Sequence, residues 1–241
     1  MLTKLKSLIK EEMFFPKIIG LVTNPFYHAR LGLLRGIAQH ATELNGKLLD
    51  VGCGSKPYFS LFKVEEYIGL DTNDSGHNHA NENVDVYFDG EIFPFEDNSF
   101  DSVLCNQVLE HVFKPNLLLS EMYRVLKPGG KCLLTVPFLW DEHEQPYDYA
   151  RYSSFGLKYL FEKNGFQVIR HQKINADFSV ITQMIKAYLY KITKFSPFLR
   201  QITTLTIMFF FNILGFLVKI LPTNEDLFLD NLILVIKPQN D

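Results

Sequence analysis

Residues Leu48 to Gly54 read Leu-Leu-Asp-Val-Gly-Cys-Gly, an apolar run breaking into a glycine turn, and Tyr67 to Asp71 form a second run that ends in a carboxylate. Glycine has no Cβ, so the backbone at Gly52 and Gly54 can turn sharply and approach a ligand to contact distance. Asp71 lies 19 residues beyond Gly52, close to the spacing of about 20 at which an acid at the end of the next strand reaches ribose hydroxyls. The pair reads as a nucleoside cofactor site. In a dinucleotide fingerprint a third glycine would stand at position 57, where this chain has Pro57, so a pyrophosphate-binding turn is disfavoured. Asp50, a carboxylate at the strand end, suits an ammonium or sulfonium cation better than phosphates.

A second constellation is His143-Glu144-Gln145-Pro146-Tyr147-Asp148-Tyr149-Ala150-Arg151-Tyr152. It follows the fifth expected strand, at the carboxyl edge where open α/β sheets bind ligands, and reads as an acceptor-site loop or lid. His143 could deprotonate an acceptor hydroxyl, Arg151 could hold an anionic group, and Tyr147 and Tyr152 could stack on a ring. The competing reading is that Arg151 pairs with Asp148 or Glu144 to brace the loop while His143 is merely exposed. His111 is either a neighbour of the acceptor or a residue at a helix start. Cys53, inside the glycine turn, reads as an apolar filler rather than a nucleophile. His77 and His79, in the polar loop from Asn73 to Asn83, lack a nearby third ligand, so no metal ion is expected there or elsewhere.

The elements that must position these residues follow from apolar patterning. Strands are expected near 48–52, 67–71, 84–89, 101–106 and 131–136, with helices near 57–63 and 107–126. A helix from Phe155 to Lys163 closes at Asn164-Gly165, a sixth strand runs from Phe166 to Ile174, and Leu232 to Ile236 form the last. This alternation predicts an α/β fold with a doubly wound parallel sheet. Before the first strand, Leu2, Leu5, Leu8 and Ile9 fall at helical spacing among Lys4, Lys6 and Lys10, giving a short amphipathic helix, and Arg30 to Glu43 read as a second helix. A chain of 241 residues can build one such domain with a full core. It divides into N-terminal helices (1–46), a cofactor-binding core (47–177), an insertion (178–229) and the last strand (230–241).

Four ordered motifs between residues 48 and 136 carry a family resemblance. They are Leu48 to Tyr58, Phe93-Pro94-Phe95-Glu96-Asp97-Asn98-Ser99-Phe100-Asp101, Val108-Leu109-Glu110-His111-Val112, and Arg124-Val125-Leu126-Lys127-Pro128-Gly129-Gly130. On them the chain resembles the class I S-adenosylmethionine-dependent methyltransferases of the small bacterial type, with Lys56 standing where many members have another glycine. The resemblance implies a Rossmann-like sheet of seven strands with the last inserted antiparallel beside the fifth, and S-adenosyl-L-methionine as cofactor. In such a site Asp50 serves the methionine end, Gly52, Cys53 and Gly54 turn against the ligand, and Asp71 takes the ribose hydroxyls. By resemblance, Asp89 and Gly90 would meet the adenine edge and Asn106 would border the methionine portion. For each of these acids and amides a plain turn or cap role is the alternative.

Methyl transfer from a sulfonium is an in-line displacement in which proximity and orientation supply most of the acceleration, and a general base is optional. The expected activity is O-methylation of a small molecule or of a lipid-linked or glycan precursor, the acceptor class resting on resemblance. The rival readings are a non-catalytic S-adenosylmethionine-binding membrane adaptor and a nicotinamide-dependent oxidoreductase, the latter disfavoured by Pro57.

The net charge of -3 is unevenly spread: residues 48 to 150 carry six basic and eighteen acidic residues, whereas residues 151 to 241 carry eleven and six. An acidic core is a poor surface for phosphate backbones, so nucleic acid is not expected as a partner. Three scattered cysteines in apolar surroundings suggest reduced thiols and a cytoplasmic location. From Phe178 to Asn224 there are five basic residues and no acid, and Ile202 to Val218 carry no charge at all. This basic, apolar insertion reads as a helical pair held in the interface of the inner membrane, or else as a helix in an enlarged core or dimer interface. A single transmembrane span is disfavoured, because it would carry Leu232 to Ile236 to the far side of the membrane from their sheet.

Overall fold

The computed structural model describes residues 8, 9, 11–72 and 83–239. Most of the expected first helix (Leu2, Leu5, Lys4, Lys6 and Lys10) and both loop histidines, His77 and His79, lie outside the described residues. Two compact units make up the chain: residues 37–138, 142–172 and 230–241 form one, and residues 1–36, 139–141 and 173–229 form the other.

The first unit is built on a seven-stranded sheet. Its strands are β1 (Lys47–Val51), β2 (Glu66–Thr72), β3 (Val86–Phe88), β4 (Phe100–Asn106), β5 (Leu126–Pro137), β6 (Gln167–Ile174) and β7 (Asp230–Ile236), in the spatial order β3-β2-β1-β4-β5-β7-β6. Strands β3, β2, β1, β4 and β5 pair in parallel, and β7 runs antiparallel to β5, with Leu133 opposite Leu234. Leu48, Leu49, Val51, Val103, Leu104 and Cys105 are all buried. Such runs without alternation are what a parallel sheet covered on both faces demands. Cys53, Cys105 and Cys132 are free thiols and all buried.

Several elements differ from the sequence pattern. The helix expected near 57–63 is a single 3-10 turn, Phe59–Leu61, because Pro57 and the tight turn before it leave no room for a longer one. The helix expected near 107–126 splits into a 3-10 turn, Leu109–His111, and helix α4, Pro115–Val125. Proline at the first helical position restarts the helix, since its fixed φ and missing N–H suit that place alone. β5 begins at Leu126, which pairs with Phe100 before a register shift carries the ladder to Lys131 opposite Ser102. Arg124 ties two of the sequence motifs together: it donates to the carbonyls of Phe93 and Phe95 and pairs with Glu121 and Asp97. Those contacts brace the two motifs against each other. Helix α5 (Ser154–Lys163) starts on the Ser153 side chain, which accepts from Gly156 N–H.

The second unit is helical. Residues 11–14 form a turn of helix (α1), followed by α2 (Ile18–Thr23) and the first ten residues of α3 (Tyr27–His40). The insertion supplies α6 (Ser179–Ile192), α7 (Pro197–Thr203), a π-helical turn (Thr204–Met208), α8 (Phe209–Leu217) and a 3-10 turn (Val218–Ile220). Its interior is unusually polar. Lys186, fully buried, donates to Asn212 Oδ1 at 2.5 Å, Asn212 donates to the carbonyls of Leu21 and Asn24, and the Asn212 carbonyl faces His28 Nε2 at 2.8 Å. Burial pushes the Lys186 amine down to about 7 and His28 down to about 4. Lys186, one of the five basic residues of the insertion, is an internal clamp and not a lipid-facing charge.

Candidate active site

Every residue of the candidate site belongs to the sheet-containing unit, and the carboxyl ends of β1, β2 and β4 position it. At the end of β1 the chain turns immediately: Gly52 has φ +69 and Gly54 φ +48, values that a residue with a Cβ adopts only under strain. The amides of Gly52 and Cys53 donate to Leu70 O at 2.8 and 3.2 Å, which folds the turn back on β2. A Cβ on Gly52 would lie 2.3 Å from Val108 Cγ2, whereas a Cβ on Gly54 would meet nothing within 4 Å. One glycine is required by packing. The other borders open space, as a ligand cradle must.

Asp71, at the end of β2, accepts from Gly54 N–H at 2.8 Å through Oδ2 and from Thr72 N–H at 2.8 Å through Oδ1. It therefore holds the turn as well as presenting a carboxylate beside it. Asp50 is buried and takes the Tyr67 hydroxyl on Oδ2 at 2.7 Å. Burial pushes its carboxyl up to about 7, against the Tyr67 hydrogen bond and the nearby Lys56 charge. Cys53 is buried, and burial with the Asp50 charge raises its thiol well above the ordinary range, which suits a filler and not a nucleophile.

The remaining cofactor candidates sit on neighbouring strand ends. Asp89 follows β3 and its Oδ1 accepts from the amides of Glu91 and Ile92 at 2.9 and 3.0 Å; these bonds lower its carboxyl and hold a turn with Gly90 at φ +85. Asn106, last in β4, accepts from the Thr135 hydroxyl at 2.7 Å, and its successor Gln107 takes φ +56.

The acceptor candidates form a second corner. The turn Leu109–His111 leaves β4 and the 142–152 loop is fastened to it: Tyr149 N–H donates to Glu110 O at 2.8 Å, and His111 Nδ1 meets Tyr147 O at 2.6 Å. Arg151 grips Asp148 with two nitrogens, at 2.5 and 2.7 Å, while Asp148 accepts from His143 N–H at 2.9 Å and lies 3.3 Å from His143 Nδ1. Arg151 thus pairs with Asp148 within the loop. Burial would raise Asp148, but the Arg151 and His143 partners hold it at about 2. The rings of His111 and His143 meet edge to face with centroids 4.8 Å apart. Tyr147 is partly exposed, whereas Tyr152 is partly buried against the core and its hydroxyl is pushed up to about 12 by burial and the Glu110 charge.

Sequence reasoning missed four participants. Tyr67 shares a strand face with Gly69 and Asp71, and that two-residue spacing was the available signal. Lys56 has φ +50 and pairs with Asp85, whose Oδ2 also accepts from Gly69 N–H at 2.6 Å. The glycine-like backbone thus persists where the chain has lysine. Glu110 was read only as part of a motif, yet it is fully buried beside His111.

Comparison with known proteins locates a methyltransferase-domain family model on residues 49–134. A fatty-acid O-methyltransferase from Mycolicibacterium smegmatis is 29% identical over 68% of this chain, which spans 65% of that protein, just under two thirds. A demethylmenaquinone methyltransferase from Staphylococcus haemolyticus is 31% identical, matching 53% of this chain and 71% of its own length. Among solved structures, a phosphoethanolamine N-methyltransferase 2 from Haemonchus contortus, in complex with phosphomonomethylethanolamine and S-adenosylhomocysteine, superposes with a TM-score of 0.56 at 19% identity, covering 97% of this chain and 57% of that one. This last likeness is one of fold.

Proposed function

The chain belongs to the class I S-adenosylmethionine-dependent methyltransferases, and we propose that it methylates an oxygen of a small-molecule or lipid-linked glycan precursor. The observation that carries this reading is the adjacency of the two corners: the space left by the absent Cβ of Gly52 is filled by Val108, two residues before Glu110. Bound in the glycine turn, S-adenosylmethionine supplies a methyl group activated on a sulfonium. Asp71 would hold the ribose hydroxyls, Asp50 would face the cationic amino-acid end, and Asn106, fixed by Thr135, would border it. The open space at Gly54 and the acid at the next strand end fit a nucleoside. The buried Asp50 fits a cation. On the acceptor side, Glu110, His111 and His143 gather titratable groups where a hydroxyl could be oriented and its proton taken up, and Tyr147 offers an aromatic edge. An oxygen acceptor is supported further by the O-methyltransferase among the relatives.

The test is incubation with methyl-labelled S-adenosylmethionine and host membrane plus cytosol extracts, followed by partition between organic and aqueous phases. Label in the organic phase is expected. Label confined to water would replace the lipid-linked acceptor by a soluble one, and no label despite cofactor binding would favour a non-catalytic adaptor.

The lipid-linked alternative draws on the insertion. Residues Pro197–Ile220 form one continuous helical run of 24 residues, of which only 28% of the most apolar stretch is buried. Phe198, Phe210, Leu217 and Ile220 are each at least 60% exposed, and Lys194, Arg200 and Lys219 accompany them without a single acid between Phe178 and Asn224. Such a surface suits the anionic, cytoplasmic face of a membrane, where apolar burial and basic residues act together. Co-flotation with anionic liposomes is the expected result. Recovery of all the protein below the lipid at low salt would exclude this contact.

A further inference from the structure

Glu110 presents an unresolved cost. Its side chain is fully buried and neither carboxylate oxygen has a hydrogen-bond partner from another described residue. A carboxyl buried without partners is expensive, and nature retains one chiefly where a cation or ligand completes it. Arg151, the neighbouring guanidinium, has both terminal nitrogens on Asp148.

What surrounds Glu110 is a set of metal-ligating types. One ligand atom from each of Glu110, His111 and His143 lies within 4.8 Å of the other two. His111 Nε2 stands 3.8 Å from Glu110 Oε1 and 3.4 Å from Glu144 Oε2. Ligands held about 2.0–2.2 Å from a first-row metal are themselves separated by roughly 3–4 Å, so the two His111 spacings match, and a pair as wide as 4.8 Å closes by roughly 1 Å on binding. The outer contacts are of the right kind as well. Metal-bound imidazoles are oriented by a carbonyl or carboxylate on the other ring nitrogen. Here His111 Nδ1 meets Tyr147 O at 2.6 Å, which directs Nε2 toward the two glutamates, and His143 Nδ1 lies between Asp148 at 3.3 Å and Arg151 Nη2 at 3.4 Å. Glu144 keeps its place at φ +52, a backbone conformation that a glutamate rarely adopts. Counting Glu110, Glu144 and Asp148 against Arg151, the cluster carries two excess negative charges when ionised, matching a divalent cation.

We propose that Glu110, His111 and His143, with Glu144 as a further ligand, form a binding site for a divalent first-row transition metal. Two imidazoles and a carboxylate select zinc, cobalt, iron or manganese over magnesium and calcium, which prefer all-oxygen shells. The site stands on geometry alone. Its use in holding an acceptor oxygen rests on the methyltransferase reading above, because only then does this corner face a methyl donor.

The test uses the full chain stripped with chelator and titrated with Co²⁺, whose visible absorption reports imidazole and carboxylate coordination. One equivalent is expected to bind with a saturable band. Glu110→Gln and His143→Ala should each weaken uptake by at least tenfold, a loss of about 1.4 kcal/mol or more, while S-adenosylmethionine binding persists as proof of folding. No saturable band in the unaltered protein, or equal affinity in folded variants, overturns the site. Should both variants fail to fold, diethyl pyrocarbonate labelling of the unaltered protein decides: Zn²⁺ must protect His111 and His143, and equal labelling with and without Zn²⁺ rejects the proposal. Cofactor binding is read in parallel on the same sample. Cobalt uptake without it would keep the metal site and break the methyltransferase reading, and the converse would do the reverse.

Discussion

The cofactor corner and the acceptor corner share the carboxyl edge of one sheet, yet they are made differently. At the first, backbone does most of the work: two glycines with positive φ, amides bonded to Leu70 O, and Asp71 accepting from Gly54 N–H. At the second, side chains do it: Asp148 joins Arg151 to His143, and His111 lies between Glu110 and Glu144. A site written in backbone geometry tolerates change in what surrounds it. A site written in side-chain pairings can be rebuilt for another acceptor without disturbing the first. If this division is real, damage to one corner should leave the other's function measurable.

The largest separation is expected at His143. His143→Ala should lower turnover by about 100-fold, the range for losing a positioned acid, base or ligand group, while the dissociation constant for S-adenosylmethionine stays within about twofold. Isothermal titration beside steady-state kinetics measures both quantities. A parallel loss of cofactor affinity would mean that the two corners are one coupled site. Next in size, Asp71→Ala should weaken cofactor binding by more than tenfold, about 1.4 kcal/mol, with turnover at saturating cofactor little changed. Unaltered affinity would reduce Asp71 to the turn-holding role that its bonds to Gly54 and Thr72 already describe.

The same division decides what was legible in the sequence. The cofactor corner depends on spacing along the chain, because a strand, a turn and a second parallel strand fix where the next strand end falls. Gly52, Gly54 and Asp71 could therefore be placed from their positions alone. The place of β7, antiparallel beside β5, followed from the family resemblance and not from spacing. The acceptor corner depends on which side chains turn toward one another across a loop, and no period encodes that. Arg151 carried two readings in the sequence, and its pairing with Asp148 becomes visible only in three dimensions. Glu110 gave no sign of burial, since an acid flanked by Leu109 and His111 reads as exposed, yet within the 3-10 turn Leu109–His111 it is fully buried. Lys186 misled for a related reason: a basic residue in a basic, apolar stretch reads as surface, whereas Asn212 supplies it with an internal acceptor.

A smaller effect probes the brace within the acceptor corner. Asp148→Asn removes the charge that Arg151 and His143 hold, and chemical denaturation at pH 7 should show a loss of about 1–3 kcal/mol, the range for breaking charge-assisted hydrogen bonds. The sign with pH follows from the depressed carboxyl. Its folded value near 2 lies below the ordinary 3.8, so its contribution is complete above about pH 4 and is lost as the pH falls toward 2. The difference between Asp148→Asn and the unaltered protein should shrink over that window. A gap that persists at pH 2 would assign the loss to packing instead.

The smallest expected effect tests the cofactor corner in return, through Asp50. Its carboxyl sits at about 7 in the folded chain against an ordinary 3.8, so the folded state binds the proton more tightly than the unfolded one. That preference contributes stability at acid pH and is lost progressively as the pH rises from about 4 to about 7. A cationic ligand end favours the ionised form, so binding must expel the proton below pH 7 and need expel none above it. Affinity for S-adenosylmethionine should therefore rise between pH 6 and pH 8 by up to about tenfold and level off beyond, as a single group titrating near 7 requires. Asp50→Asn should flatten the profile without abolishing binding, because the turn and Asp71 remain. Calorimetry in buffers of different ionisation enthalpy adds an independent reading, with close to one proton released per cofactor at pH 6 and almost none at pH 8. A flat profile in the unaltered protein would show that Asp50 serves Tyr67 and the strand end alone, leaving the cation to be held by backbone; the first corner would then be still more purely a matter of main-chain geometry than the comparison supposes.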